Sequence, residues 1–274
     1  MLGALLDVVF PRRCAGCGGR PWPFCDACRS SLVVLRPPWC ERCGAPAPAF
    51  GPRCPACPPW EIERARSPFL FDGPARGAIH HLKFGGWRGV AEALGASMAA
   101  AARAGGALDG WRAQTAGAAG AVGGPAARDE VVTWVPLSAR RLADRGFDQA
   151  RALAEVVGPR LGLPVERLLA RITDTGAQAR RSGPQRRAAM ARAFRSTGRP
   201  PPRVLLVDDV LTTGATAAAC AEALIHGGAQ RVRLLTAARA LAPAERPHLS
   251  PEPDRYTRTG LAPGSVVARG NVLR

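Results

Sequence analysis

The chain has 274 residues and carries 38 basic against 21 acidic side chains, a formal net charge of +17. This length accommodates one medium-sized domain and one small accessory domain. No run of about 18 apolar residues occurs, so no membrane span is expected. The N-terminal stretch MLGALLDVVFPRRC lacks the basic start of a signal peptide, and we therefore expect a cytoplasmic protein.

Eight of the nine cysteines form four Cys-x-x-Cys pairs in a segment predicted to span residues 1–60. Paired thiolates at this spacing are typical of tetrahedral zinc, with redox chemistry or an iron–sulfur cluster as alternatives. Eight ligands predict two structural zinc sites, since four thiolates leave no open coordination position. Sequential and cross-braced pairing both fit the spacing. The predicted ligands are Cys14, Cys17, Cys25, Cys28, Cys40, Cys43, Cys54 and Cys57.

Three tryptophans, Trp22, Trp39 and Trp60, stand in the short spacers between and after these pairs. A segment of this size buries too little apolar surface to fold alone, so the metal supplies much of its folding free energy. We expect the indole rings to pack against the metal knuckles. Stacking on nucleotide bases is the alternative.

The next segment contains the only lysine of the chain, Lys83. SPFLFDG indicates a strand and turn, PARGAIHHLKFGG a short helix or turn, and VAEALGASMAAAARA a helix. Lys83 directly precedes Phe84 and a glycine pair, and an ammonium group is not interchangeable with the guanidinium used elsewhere in this chain. It is therefore a candidate functional residue. Residues 104–128 are rich in Ala and Gly without a clear period and are interpreted as an insertion.

A strongly basic region follows the next predicted strand, VVTWV, which stops at Pro136. The loop PLSARRLADRG follows it, and a helix is predicted from about Phe147 to Gly162. From residue 136 to 203 there are 15 arginines and 5 acids, a local charge of +10. Such a field attracts a small polyphosphate or a nucleic acid backbone, with a solvated basic face as the alternative.

Residues 204–216, VLLVDDVLTTGAT, have the most specific pattern in the chain. Val204 to Val207 predict a buried parallel strand that stops at Asp208 and Asp209. A Thr-Thr-Gly-x-Thr turn then leads into the predicted helix AAACAEALI, whose N-terminus suits a phosphate. Two acids beside a phosphate turn suit a ribose 5-phosphate, whereas an ordinary capped helix is the alternative. RVRLLTAARA predicts the last strand, and residues 241–274 are expected to be disordered.

These segments resemble a known family. VLLVDDVLTTGAT is similar to the signature of type I phosphoribosyltransferases that binds 5-phosphoribosyl 1-pyrophosphate (PRPP). VPLSARRLADRGFDQARALA, the lysine in HHLKFGG and the cysteine-rich segment resemble the ComF (competence protein F, GntX-like) family. Gln178, Arg186 and Phe194 match its Arg-rich hood, whereas Asp148 and Ala189 stand where that family usually has Asn.

The resemblance implies an α/β fold in which a double zinc ribbon precedes a phosphoribosyltransferase-like domain at residues 61–240. The domain has a mainly parallel sheet with helices on both faces. It also implies that Asp208 and Asp209 contact the ribose hydroxyls as catalytic residues, with Mg2+ bridging ribose and pyrophosphate. The implied PRPP-binding residues are Thr212, Thr213, Gly214, Ala215 and Thr216 for the 5-phosphate, and Leu137, Ser138, Ala139, Arg140 and Arg141 for the pyrophosphate. Lys83, Arg145, Gln178 and Arg186 are candidate contacts to substrate or nucleic acid.

Two functions from different classes are consistent with this resemblance. One is a phosphoribosyltransferase, in which a nitrogen nucleophile displaces pyrophosphate at C1. The other is a nucleic-acid-binding protein that keeps the fold without turnover. The family's competence role implies single-stranded DNA as its ligand during DNA uptake, with a helicase as partner. The same arginines serve both functions.

Overall fold

The computed structural model describes residues 13–46, 54, 57, 58, 60–104, 108, 129–172 and 193–241. Most of the predicted insertion, the hood residues Gln178 and Arg186, and the C-terminal segment from residue 242 lie outside the described residues. Within the described ranges, no helix combines the length and apolar character that a membrane span requires.

Among the described residues, five parallel strands form the central sheet, and two further strands form an antiparallel pair. The sheet order is β1-β7-β6-β3, with β2 also paired to β7, and β4 pairs with β5. The strands are β1 (Arg64–Arg66), β2 (Phe69–Leu70), β3 (Glu130–Trp134), β4 (Leu169–Arg171), β5 (Phe194–Ser196), β6 (Arg203–Leu211) and β7 (Arg231–Arg239). The fold is therefore the expected α/β type with a mainly parallel sheet.

Helices cover both faces of this sheet. They are α1 (Asp26–Ser30), α2 (Gly73–Phe84), α3 (Val90–Ala104), α4 (Ala139–Arg145), α5 (Gln149–Leu161) and α6 (Ala215–His226). Met98 of α3 and Leu153 of α5 belong to the same core as Leu205. Leu224 of α6 belongs to the core on the opposite face, with Leu206. Val204 to Val207 and Leu211 of β6 are buried, with side chains in the cores on both faces, as expected for a central parallel strand.

The cysteine-rich segment packs directly on the edge of the sheet. The amide of Leu35 donates to the carbonyl of Pro68 at 2.8 Å, and the amide of Leu70 donates to the carbonyl of Val33 at 2.9 Å. Cys14 and Leu32 belong to one hydrophobic core of the sheet, and Cys43 belongs to the other. The metal-binding segment and the sheet therefore share their hydrophobic cores.

The predicted helices α2, α3, α5 and α6 are confirmed, but two local predictions were wrong. The segment PLSARRLADRG is not a loop throughout, because it contains helix α4. Ser138 caps this helix by accepting the amide of Arg141 at 3.3 Å, and Gly146 ends it in the left-handed conformation at φ 71°. Strand β6 does not stop at Asp208, since pairing with β7 carries it on to Leu211.

Candidate functional site

The eight paired cysteines form two clusters of four. Cys14, Cys17, Cys25 and Cys28 make the first zinc site, and Cys40, Cys43, Cys54 and Cys57 make the second, with the sulfurs of each within 4.8 Å of one another. The pairing is therefore sequential. Three of the sulfur separations are 3.8, 3.5 and 3.7 Å. A tetrahedral zinc with bonds of about 2.3 Å requires about 3.8 Å between sulfurs, so both sets fit the ion.

The backbone around each cluster favours thiolates. Burial raises the pKa of Cys14 and Cys40, but hydrogen bonds from backbone amides outweigh it and lower the pKa of each to about 7. Burial raises the pKa of Cys57 to about 11. Since zinc binds thiolates, metal binding must release protons from the more basic cysteines of each cluster.

The carboxyl end of β6 carries the two adjacent acids Asp208 and Asp209, and they lie on opposite faces of the sheet. Asp209 is 4% exposed and faces α2 and α5, where Lys83 Nζ lies 2.8 Å from its Oδ1. Gln149 Nε2 donates to the other carboxylate oxygen at 2.9 Å. In turn, Arg145 donates to Gln149 Oε1 at 3.0 Å. Four side chains from three helices and one strand thus form a continuous polar chain.

Asp208 faces the opposite side, toward α6. It lines a cavity of about 40 Å³ together with Thr212, Gly214, Thr216 and Thr236. Burial raises the pKa of Asp208 well above its usual range, and the negative charge of Asp209 raises it further, although Lys83 acts in the opposite direction. A carboxyl group in these surroundings favours a ligand that supplies hydroxyl donors or positive charge.

Residues 212–216, here named the phosphate loop after the ligand that the sequence predicts for them, lead from β6 into α6. Gly214 is the N-cap of α6 with φ 78°, and no side chain caps the helix. Thr212 and Thr213 are exposed, whereas Ala215 and Thr216 are half-buried. The first amides of a helix have no partners within it and carry the positive end of its dipole. The loop therefore presents backbone donors and hydroxyl groups at one point.

Helix α4 brings the predicted pyrophosphate residues to the same edge of the sheet. It follows directly after β3, which pairs with β6. Ser138 is buried at the helix start, Arg140 and Arg141 are exposed, and the amide of Leu137 donates to Asp148 Oδ2 at 3.3 Å. Ala139 is the first residue of the helix. The structure therefore places a basic helix beside the carboxyl end of β6.

One structurally important residue, Gln149, was not singled out by the sequence analysis, and its neighbour Asp148 was noted there only as a departure from the resembled family. Gln149 opens α5 and connects Asp209 to Arg145. Its signal was available in the GFDQA segment, where a glutamine stands at the apolar start of a predicted helix. Asp148 is the N-cap of α5 and accepts the amides of Ala150 and Arg151. An Asp side chain is a good cap for a helix N-terminus.

An exposed aromatic ring lies beside this polar chain. Phe84 is 62% exposed and follows Lys83 at the end of α2. The guanidinium of Arg145 lies 4.8 Å from its ring centroid, a cation–π distance. Trp60, in contrast, is 4% exposed. The packing role predicted for this tryptophan is confirmed, and Phe84 is the exposed ring at this edge.

Comparison with known proteins identifies a matching N-terminal domain and several relatives over most of the chain. Residues 5–58 match the model of the double zinc ribbon domain. The chain is 29% identical over 226 residues to the DNA utilization protein YhgH of Salmonella typhimurium, a match that covers 80% of this chain and 92% of that protein. It is also 29% identical over 229 residues to the YhgH protein of Escherichia coli, with the same coverage. The N-terminal segment is thus a double zinc ribbon, and most of the chain is similar to proteins named for DNA utilization.

Proposed function

We propose that this protein binds a phosphoribosyl ligand of the PRPP class at the carboxyl end of β6 and acts in DNA utilization. The observation that carries the proposal is the cavity shared by Asp208, Thr212, Gly214 and Thr216. It joins a carboxyl group to the phosphate loop at the N-terminus of α6. A ligand with vicinal hydroxyls and a phosphate satisfies both groups at once.

Each part of such a ligand has a matching part of the protein. The 5-phosphate suits the amides and hydroxyl groups of residues 212–216. The ribose hydroxyls suit Asp208, which lines the cavity with the loop, and the pyrophosphate suits the basic helix α4. Asp209, on the other face, is held by Lys83 and Gln149. Since the cavity of about 40 Å³ has room for only a few water molecules, most of the ligand would lie on the open side of the loop.

Transfer of the phosphoribosyl group is a reaction that this arrangement can support. A nitrogen nucleophile would form a bond to C1 while pyrophosphate leaves with the bonding electron pair, and the nucleophile would lose its proton to solvent. Mg2+ bound to the ligand would supply charge neutralisation for the pyrophosphate. Arg140 and Arg141 would add positive charge beside the leaving group. The acceptor would approach from the side of Lys83.

Calorimetry with PRPP and Mg2+ tests ligand binding directly. We expect saturable heat at millimolar ligand or below, and a loss of at least about tenfold in affinity for Asp208→Asn, because this replaces a carboxyl oxygen with an NH2 group that cannot accept a hydrogen bond from a ribose hydroxyl. Asp144→Asn is the matched control, since Asp144 is an exposed acid of α4. Absence of heat, or equal affinity for both variants, would refute the proposal.

A second candidate function is binding of single-stranded DNA, and the exposed ring of Phe84 beside the half-buried Arg145 favours it. A base stacks on an exposed aromatic ring while nearby arginines contact the phosphates. The test is titration with an oligonucleotide at several salt concentrations. We expect Phe84→Ala to weaken binding about fivefold or more. Leu142→Ala, which removes another exposed apolar side chain (44%) from the same edge, serves as the control.

The two candidates are separable by their salt dependence. Binding of DNA through several phosphates weakens steeply as salt rises, because counterions are released. Binding of one PRPP molecule with Mg2+ depends on salt much less. Equal losses for Phe84→Ala and Leu142→Ala, or an oligonucleotide affinity that is independent of salt, would argue against DNA binding at this edge.

A further inference from the structure

The chain segment that directly follows Cys57, the last ligand of the second zinc site, contacts the phosphate loop. A Cβ atom built on Gly214 would lie 2.8 Å from Trp60 Cζ3 and 2.9 Å from Pro58 Cγ. Carbon atoms do not approach this closely, so the absence of a side chain at Gly214 is what allows the two rings to lie on the loop. Gly214 therefore has two roles, because its φ of 78° also favours glycine.

Pro58 and Trp60 are connected to the second zinc site by short stretches of chain. Pro58 directly follows the ligand Cys57, whose sulfur lies 3.5 Å from the sulfur of Cys40. Arg42, which lies between Cys40 and Cys43, donates a hydrogen bond to the carbonyl of Trp60. The position of the two rings on the loop thus depends on how Cys57 is held against the Cys40–Cys43 knuckle.

That knuckle is itself fixed to the sheet. Arg239 of β7 is 2% exposed and donates to the carbonyl of Cys43 at 2.8 Å. The amide of Ala65 in β1 donates to the carbonyl of Arg42 at 2.7 Å. The sheet therefore holds one half of the second site, whereas the metal joins Cys54 and Cys57 to that half. Loss of the metal would act first on the segment that carries Pro58 and Trp60.

The first zinc site has a different neighbour and offers a natural comparison. Its Gly16 carbonyl lies against Gly77 of α2, where a Cβ atom would be only 2.2 Å away. His81 Nδ1 lies 2.8 Å from the carbonyl of Ala15 in the same knuckle. The first site thus packs on α2, while the second packs on the phosphate loop.

We propose that metal occupancy of the second zinc site sets the conformation of the phosphate loop through Pro58 and Trp60. Zinc binding at that site and phosphate binding at the loop are then thermodynamically linked, with a coupling of about 5- to 150-fold. The linkage rests on the proposed function. The effect of metal on the loop does not, because loop conformation is measurable without a ligand.

Hydrogen exchange of the full-length, zinc-loaded protein tests the effect of the metal on the conformation of the phosphate loop. We expect Cys54→Ser to speed amide exchange at residues 212–218 by about tenfold, and Cys17→Ser, which alters the first site, to leave these amides unchanged. Amide exchange at residues 137–141 is the internal control for general unfolding, because these residues lie at the same edge of the sheet on another segment. Equal exchange at residues 212–218 in Cys54→Ser and Cys17→Ser would overturn the proposal.

A variant that keeps the metal makes the test independent of zinc-site folding. Trp60→Ala retains all eight cysteines, so we expect two zinc ions per chain and faster exchange at residues 212–218. Trp22→Ala is the control, because Trp22 stands in the chain between the first-site ligands Cys17 and Cys25, away from the second site. Unchanged loop exchange in Trp60→Ala with two zinc ions bound would contradict the role of Trp60. If Trp60→Ala does not fold, Trp60→Leu replaces it.

The linkage with ligand is tested by zinc release to a chelating dye. Because coupling is reciprocal, PRPP with Mg2+ should slow release of one of the two zinc ions at least about fivefold, and Trp60→Ala should abolish this protection. If PRPP binds but changes neither release rate, the linkage is wrong. If PRPP does not bind at all while the loop responds to Cys54→Ser, the proposed function fails and the control of the loop by the metal stands.

Discussion

Lys83 Nζ lies 2.8 Å from Asp209 Oδ1, so the only lysine of the chain is paired with the second acid of the VLLVDDVLTTGAT segment. The carboxylate side chain is 6% exposed and that of Lys83 is 22% exposed. Asp209 also accepts a hydrogen bond from Gln149, which is 4% exposed. The buried carboxylate of Asp209 is thereby paired with a positive charge, at the edge of the sheet where we propose that the ligand binds.

Replacement of this lysine tests how much the pair contributes to stability. Lys83→Met keeps the length of the side chain but leaves the Asp209 charge buried without the ammonium. We expect a loss of about 2–4 kcal/mol in the free energy of unfolding at neutral pH, measured by urea denaturation. Arg151→Met is the control, because the Arg151–Glu155 pair is exposed and should cost less than about 1 kcal/mol. Similar losses for both variants would contradict the role of burial.

A pair of glycine variants separates backbone strain from packing at the phosphate loop. Gly146 and Gly214 have φ of 71° and 78°, but a Cβ on Gly146 would meet no atom within 4 Å. Gly146→Ala should therefore cost only the left-handed conformation, about 1–2 kcal/mol. We expect Gly214→Ala to cost about 1–3 kcal/mol more, because it also displaces Trp60 and Pro58. Denaturation curves measure the free-energy cost of each variant. Equal costs would show that Trp60 and Pro58 move aside without a loss of stability.

Metal analysis tests the two zinc sites. We expect two zinc ions per chain in the purified protein and one in either Cys17→Ser or Cys54→Ser, because each variant removes a ligand from a different cluster. A strong chelator should unfold the N-terminal segment, since metal binding supplies much of its folding free energy. One zinc ion in the unaltered protein would contradict two independent sites.

The acid stability of the protein should depend on Glu63. Burial raises its pKa, but hydrogen bonds from Arg233 and Arg231 outweigh burial and hold the pKa at about 2. Because the folded pKa lies below the unfolded value of about 4.3, this stabilisation is present above about pH 5 and is lost as pH falls toward 2.

The matching variant is Glu63→Gln, measured by denaturation between pH 7 and pH 3. Since Glu63 is about one-third exposed, we expect a loss of only about 1–2 kcal/mol at pH 7 and a shallower decline toward acid pH. Glu155→Gln, in an exposed pair, should leave the pH profile nearly unchanged. If the free energy of unfolding of Glu63→Gln falls with pH as steeply as that of the unaltered protein, other carboxyl groups determine the acid stability.

Local patterns were sufficient for several features of the fold. The Cys-x-x-Cys spacing predicted eight metal ligands, and the helix in residues 215–226 follows from its run of alanines. Both depend on residues that are neighbours in the chain. The sequence was less informative about the secondary structure of residues 137–145, because this polar, Arg-rich segment has no regular spacing of apolar residues. Its helix depends on caps at both ends, Ser138 and Gly146.

The sequence by itself determined which chemical groups the protein offers. These are thiolates for zinc in the N-terminal segment, and two acids followed by a Thr-Gly turn at the end of β6. Only the tertiary structure decided which of these groups meet. It paired Asp209 with Lys83 and Gln149, and it placed Pro58 and Trp60 on Gly214. These contacts join segments that are distant in the chain, and packing of the zinc ribbons and helices on one parallel sheet brings them together. No local periodicity records such contacts, because it reports only which face of its own helix or strand a residue occupies.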